Sequence, residues 1–242
     1  MDTAVELLSV PVGLAVGLAM VPLVNRYLSA LADDGVRATP LGRIALPLTT
    51  AAAFTAGALE YGATWSLLPL AVGFAALAAV SWADLRAYRI PDRIVFPALL
   101  ATLGAATVVD LVESPSGSVG RAAAGGAIFC GGLLAVHLVS PAGMGFGDVK
   151  LALLMGALIG WVADDVWELL RGILTALLVA SLLGVVLGLG LAGVRRLSGR
   201  DLLPDPDAAA DPDRLASTTF PFGPALAVGT VVATLIHHSA TI

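Results

Sequence analysis

The sequence predicts an all-α fold, a polytopic integral membrane protein of about eight transmembrane helices with both termini extracytoplasmic. Three observations point there. Of 242 residues, 58% are hydrophobic and only 13% are charged, against about 25% charged in ordinary soluble domains. The apolar residues fall in long runs rather than on one face of a helical period, as expected of helices surrounded by lipid. The basic residues are sorted by side: eight crossings put all 13 lysines and arginines except Arg121 and Arg171 on one face of the membrane. Basic residues favour the cytoplasm, so that face is the inner one.

The first run, Val5–Val24, follows the acidic residues Asp2 and Glu6, with no basic n-region and no small-residue cleavage site. It is expected to be a permanent helix and not a signal peptide. The runs Thr64–Ala83, Ala122–Ser140, Gly172–Val194 and Thr218–Ile236 also match the roughly 20 residues that a crossing requires. Ile44–Leu59 and Ile94–Val109 are slightly short. Leu151–Ala163 is clearly short, and crosses only with Asp148–Lys150 included or where the bilayer thins. If that sixth run stayed on one side, Arg195–Arg200 would flip outward and the charge sorting would fail.

The chain is expected to be a single membrane-embedded domain, 1–242. Its largest non-membrane segment, 195–217, alternates proline with aspartate at Leu203–Asp207 and Asp211–Asp213. That composition suits a flexible cytoplasmic loop, and its prolines break the ligand spacing that a calcium loop requires. A net charge of −5 gives no reason to expect nucleic acid as a partner. The single cysteine, Cys130, excludes an internal disulfide and a multi-cysteine metal site; it lies mid-span and reads as a small core residue.

Two carboxylates stand out at span ends. Asp148 follows Gly143, Gly145 and Gly147, and Asp84 opens the segment Asp84-Leu85-Arg86-Ala87-Tyr88-Arg89-Ile90-Pro91-Asp92. The charge-derived topology puts both on the cytoplasmic face. Ionisable groups at such depth usually face a cavity or a partner. Two aspartates within reach would share a proton: one takes a proton from attacking water while the other donates to a peptide carbonyl or its leaving amine. That chemistry requires no metal, serine nucleophile or cofactor.

The neighbouring residues fit. Glycines at 143, 145 and 147 clear side chains from one carboxylate, so that an extended substrate backbone can approach. Lys150 is expected to anchor its helix end among headgroups rather than pair with a carboxylate. Ile90-Pro91 interrupts any smooth helix after Asp84, and Asp92 reads as a first-turn aspartate. Asp110, Asp164 and Asp165 fall on the opposite face. His137 reads as a hydrogen-bonded imidazole, and His237 and His238 as a terminal pair.

Together these segments resemble the prepilin peptidases, the type IV leader peptidase family of Gly-X-Gly-Asp membrane aspartyl proteases. Asp84 followed by Ile90-Pro91, the run Gly145-Phe146-Gly147-Asp148-Val149-Lys150, and Phe220-Pro221-Phe222-Gly223-Pro224 opening the last span carry the resemblance. It implies that Asp84 and Asp148 are the catalytic pair, with Ile90, Pro91, Pro221, Phe222, Gly223 and Pro224 shaping the site. It also implies removal of a short basic leader from prepilin or pseudopilin precursors at the cytoplasmic face of the cell membrane. Many bacterial relatives carry a cysteine-rich zinc domain in the first cytoplasmic loop and also methylate the new terminus. Here that loop, Tyr27–Arg43, has no cysteine, which resembles the short forms serving Flp-type pili or archaeal pilins. Neither zinc nor S-adenosylmethionine is expected.

The contrasting reading is a small transporter or proton-coupled channel with the same carboxylates as a relay. Transporters tend to place such groups at the midplane between repeated halves. Here both lie at one lip and no repeat is visible. A non-catalytic membrane assembly factor is a third reading.

Overall fold

A computed structural model describes residues 2–30, 41–112, 119–141, 144–198 and 221–239. Among them are eight α-helices and no strand: α1 (Asp2–Ala30), α2 (Gly42–Tyr61), α3 (Leu67–Ala87), α4 (Asp92–Val112), α5 (Val119–Val139), α6 (Phe146–Val162), α7 (Val166–Ser198) and α8 (Gly223–Ser239). Each of the eight apolar runs corresponds to one helix. A helix is what the backbone must form where lipid offers it no hydrogen-bond partners.

By length and composition, five helices can cross a membrane: α1, α3, α4, α5 and α7 over Val166–Leu189. The apolar part of α8, Gly223–Ile236, is shorter. Their outward faces are apolar, with Leu7, Leu100, Leu174 and Leu182 all exposed. In water such a surface would drive aggregation; against acyl chains it is in its proper solvent. The protein is an all-α membrane protein.

α6 is largely enclosed by other helices. It has 17 residues, and Leu154 through Trp161 form an unbroken buried stretch. It begins at Phe146, so Asp148–Lys150 belong to the helix, one of the two ways in which so short an apolar run could cross. α5 lies against it at backbone distance. A side chain on Gly125 would strike the carbonyl oxygen of Gly156, and one on Gly156 would strike that of Gly125. Small residues at such crossings allow the van der Waals contact that holds membrane helices together.

Helix ends explain where the elements stop. Gly62, at φ 61°, ends α2. Tyr88 ends α3 in the left-handed conformation at φ 51°, ψ 30°. Asp110 Oδ2 accepts the amide of Val119 at 2.7 Å, at the start of α5. Asp165 Oδ1 accepts the amide of Glu168 at 2.8 Å, while Glu168 Oε2 accepts the amide of Asp164 at 2.9 Å, a reciprocal cap on α7. The carboxylates of Asp110 and Asp165 therefore serve as helix caps, while Asp164 takes part through its backbone amide.

At one end of the bundle the Trp161 indole donates to Ser66 O at 3.1 Å, and the Tyr61 hydroxyl donates to Thr234 O. The beginning of α1 and the last turns of α8 lie at this end. α7 continues through Arg195 to Ser198, so the first four residues of the expected loop are helical. The remainder, 199–217, lies outside the described residues.

Candidate active site

At the other end, α1, α3, α4, α6 and the residues just before α8 surround a cavity of about 700 Å³ lined by Asp84 and Asp148. Asp84 comes from the last turn of α3 and Asp148 from the first turn of α6. Asp84 is buried, 5% exposed, and Asp148 is half-buried.

Each carboxylate is positioned by its local backbone. The Tyr88 amide returns to Asp84 O at 2.8 Å, and the left-handed residue then turns the chain out of α3. Asp84 thereby sits on the last helical turn beside an abrupt corner. Asp148 sits where extended Gly145 (φ −68°, ψ 138°) gives way to helix, with its amide on Gly145 O at 3.1 Å. Pro221 and Phe222 precede α8, and Gly223 N donates to Asp84 Oδ2 at 3.0 Å within the core. Three separated stretches of the sequence therefore converge on this cavity.

Of the residues singled out from sequence, Asp84, Ile90, Pro91, Gly145, Gly147, Asp148, Lys150, Pro221 and Phe222 line the cavity. Gly223 touches Asp84. Pro224 is half-buried in the first turn of α8 and is not a lining residue. Gly143 and Phe220 lie outside the described residues, as do the side chains of His237 and His238.

Two roles differ from the sequence reading. A side chain on Gly147 would have its Cβ 3.0 Å from Ile90 Cβ, so bareness at 147 serves the packing of the α3–α4 corner against α6. Gly145 is exposed, and Asp148 Oδ2 would be the nearest atom to a Cβ there, at 3.4 Å. Lys150 does not reach outward as an anchor. Its ammonium lies 2.7 and 2.8 Å from the two oxygens of Asp92. Asp92 is a first-turn aspartate of α4, and it is this lysine's partner as well.

His137 is hydrogen-bonded as expected, with Nδ1 2.9 Å from Met144 O. A carbonyl oxygen accepts only, so Nδ1 carries the proton there. Its ring lies 5.5 Å from that of Phe146, two residues before Asp148. Tyr27 and Tyr88 also line the cavity. No sequence signal separated Tyr27 from the many aromatics that sit at span ends. Among the described residues, no group of three or more His, Cys, Asp or Glu side chains converges as a metal site would require.

Residues 71–189 match the type IV leader peptidase family, a stretch that includes Asp84, Asp148 and the Asp92–Lys150 pair. A prepilin leader peptidase/N-methyltransferase of Bacillus subtilis (strain 168) is 28% identical over 196 residues, which is 81% of this chain and 66% of that protein. This chain thus spans about two thirds of that relative's length. No solved structure matches significantly.

Proposed function

We propose, with the type IV leader peptidase match as premise, that this chain is a membrane aspartyl endopeptidase acting through Asp84 and Asp148. Its substrates are type IV prepilin-like precursors (pilin, pseudopilin or Flp-type), from which it removes the short basic leader. The observation that carries this reading is the meeting of both carboxylates in one cavity at one end of an otherwise apolar bundle.

In this mechanism one carboxylate takes a proton from a water molecule as it attacks the scissile carbonyl. The protonated partner gives its proton to the carbonyl oxygen, and the tetrahedral intermediate then collapses as a proton passes to the leaving amine. Gly223 fixes one oxygen of Asp84 throughout. Gly145 leaves room for the extended substrate backbone beside Asp148.

The cavity faces the cytoplasm of the cell membrane, and eight crossings leave both termini outside. The arginine sorting supports this, and so does the alternation of the eight helices between the two ends of the bundle. Cleavage proceeds without zinc or S-adenosylmethionine; the absence of cysteine between Tyr27 and Arg43 supports that.

The test is reconstituted protein mixed with a prepilin from its own genome, alongside Asp84→Asn and Asp148→Asn. Removing a positioned acid or base costs about 10²–10⁴-fold, so the parent should cut and both variants should be nearly inactive. Full activity in either variant would remove that residue from the pair. A parent that cuts no such precursor would end the peptidase reading.

A further inference from the structure

Among the described residues, no hydrogen bond runs from either proposed catalytic aspartate to the segment that carries the other. Asp84 belongs to α3 and Asp148 to α6. Among the contacts between the α3–α4 corner and the start of α6, two stand out. One is Ile90 packed on Gly147. The other is the ion pair between Asp92, eight residues after Asp84, and Lys150, two residues after Asp148.

We propose that Asp92 and Lys150 are a positioning pair, a latch that sets the spacing of Asp84 and Asp148 without touching the substrate's reacting atoms. The assignment deepens the peptidase reading and rests on it.

The geometry is specific. Lys150 Nζ reaches both oxygens of Asp92, at 2.7 and 2.8 Å, where a casual surface contact would reach one. The same ammonium lies 5.3 Å from the centroid of the Phe146 ring, a cation–π contact that restricts where the lysine can point. Phe146 is in turn braced by His137. The lysine is therefore aimed by its own helix before it meets α4.

The Asp92 and Lys150 side chains are 50% and 25% exposed, and ion pairs so accessible to water add little to stability. A bridge that scarcely stabilises the fold, yet spans the two segments carrying the aspartates, acts on geometry. Catalysis is sensitive to that: a misplacement of about 1 Å can cost about 10²-fold.

The experiment compares the parent with Asp92→Asn, Lys150→Gln and the exchanged pair Asp92→Lys with Lys150→Asp, measuring kcat, KM and the melting temperature in the same detergent. Each single variant should lose roughly tenfold or more in kcat, with KM and melting temperature close to the parent's. The exchanged pair should regain most of that loss, because the bridge is rebuilt with its charges reversed. Full activity in both single variants overturns the latch and leaves the peptidase reading standing. An exchanged pair as inactive as the single variants also overturns it, since the positive charge at 150 would then matter rather than the bridge. Losses that follow the melting temperature overturn it in favour of a folding role. A parent that cuts no prepilin overturns the peptidase reading and the latch together.

Discussion

The backbone amide of Gly223 donates a 3.0 Å hydrogen bond to Oδ2 of Asp84, although 139 residues separate the two. The bond requires glycine. A Cβ at 223 would stand 2.7 Å from that same oxygen, closer than atoms can rest. Gly223→Ala is therefore expected to displace Asp84 or the start of α8. The cost should be about 10²-fold in kcat, measured on a prepilin substrate. Unchanged kcat would mean that Asp84 tolerates the shift and that the bond does not matter to turnover.

Glycines elsewhere sort by what surrounds them. Gly156 meets the backbone of α5, so Gly156→Val should overpack the α5–α6 crossing and destabilise by about 1–3 kcal/mol or more. Gly104, on the open face of α4, has nothing within 4 Å of a would-be Cβ. Gly104→Ala should stabilise by about 0.4–1 kcal/mol, because only the conformational freedom of the unfolded chain changes. Unfolding titrations in mixed micelles should move in opposite directions for the two; a common direction would contradict the packing described.

Tyr61 ties the end of α2 to the last turns of α8 through Thr234 O. Tyr61→Phe keeps the ring and removes the donor, at a cost of about 1 kcal/mol. Because this contact lies at the end away from the aspartates, the melting temperature should fall while kcat holds. A loss of kcat larger than the loss of stability would show coupling along the bundle.

The proposed orientation is open to labelling. In a Cys130→Ala background, a cysteine replacing Asp164 should react with an impermeant maleimide added outside intact cells. A cysteine replacing Arg93, at the rim of the aspartate cavity, should react only after permeabilisation. The reverse pattern would invert the topology and place the cavity outside.

The helices were legible because lipid enforces a simple rule: a run apolar on all sides must be helical. Their ends were less so, since capping uses residues beyond the apolar run. Asp165 starts α7 before Gly172, and Pro221 and Phe222 delay α8 past Thr218. Asp84 and Asp148 were readable as expensive charges at span ends. What joins them was not. Lys150 finds Asp92 across 58 residues, and nothing local distinguishes a lysine that pairs from one that reaches for headgroups. Gly147 was readable as a bare position, but Ile90, the residue that needs it bare, is identified only by the fold.

The burial of α6 carries one more consequence. The solvent of this helix is protein: from Leu154 to Trp161 it meets other helices and no acyl chain. Asp148 is carried by that same helix, whose packing is thus set by protein and not by the composition of the membrane. Turnover should then vary little between vesicles of short-chain and long-chain lipids, while the melting temperature, set by the exposed outer helices, should follow the lipid. The outer helices act as a sleeve around α6, the helix that carries Asp148.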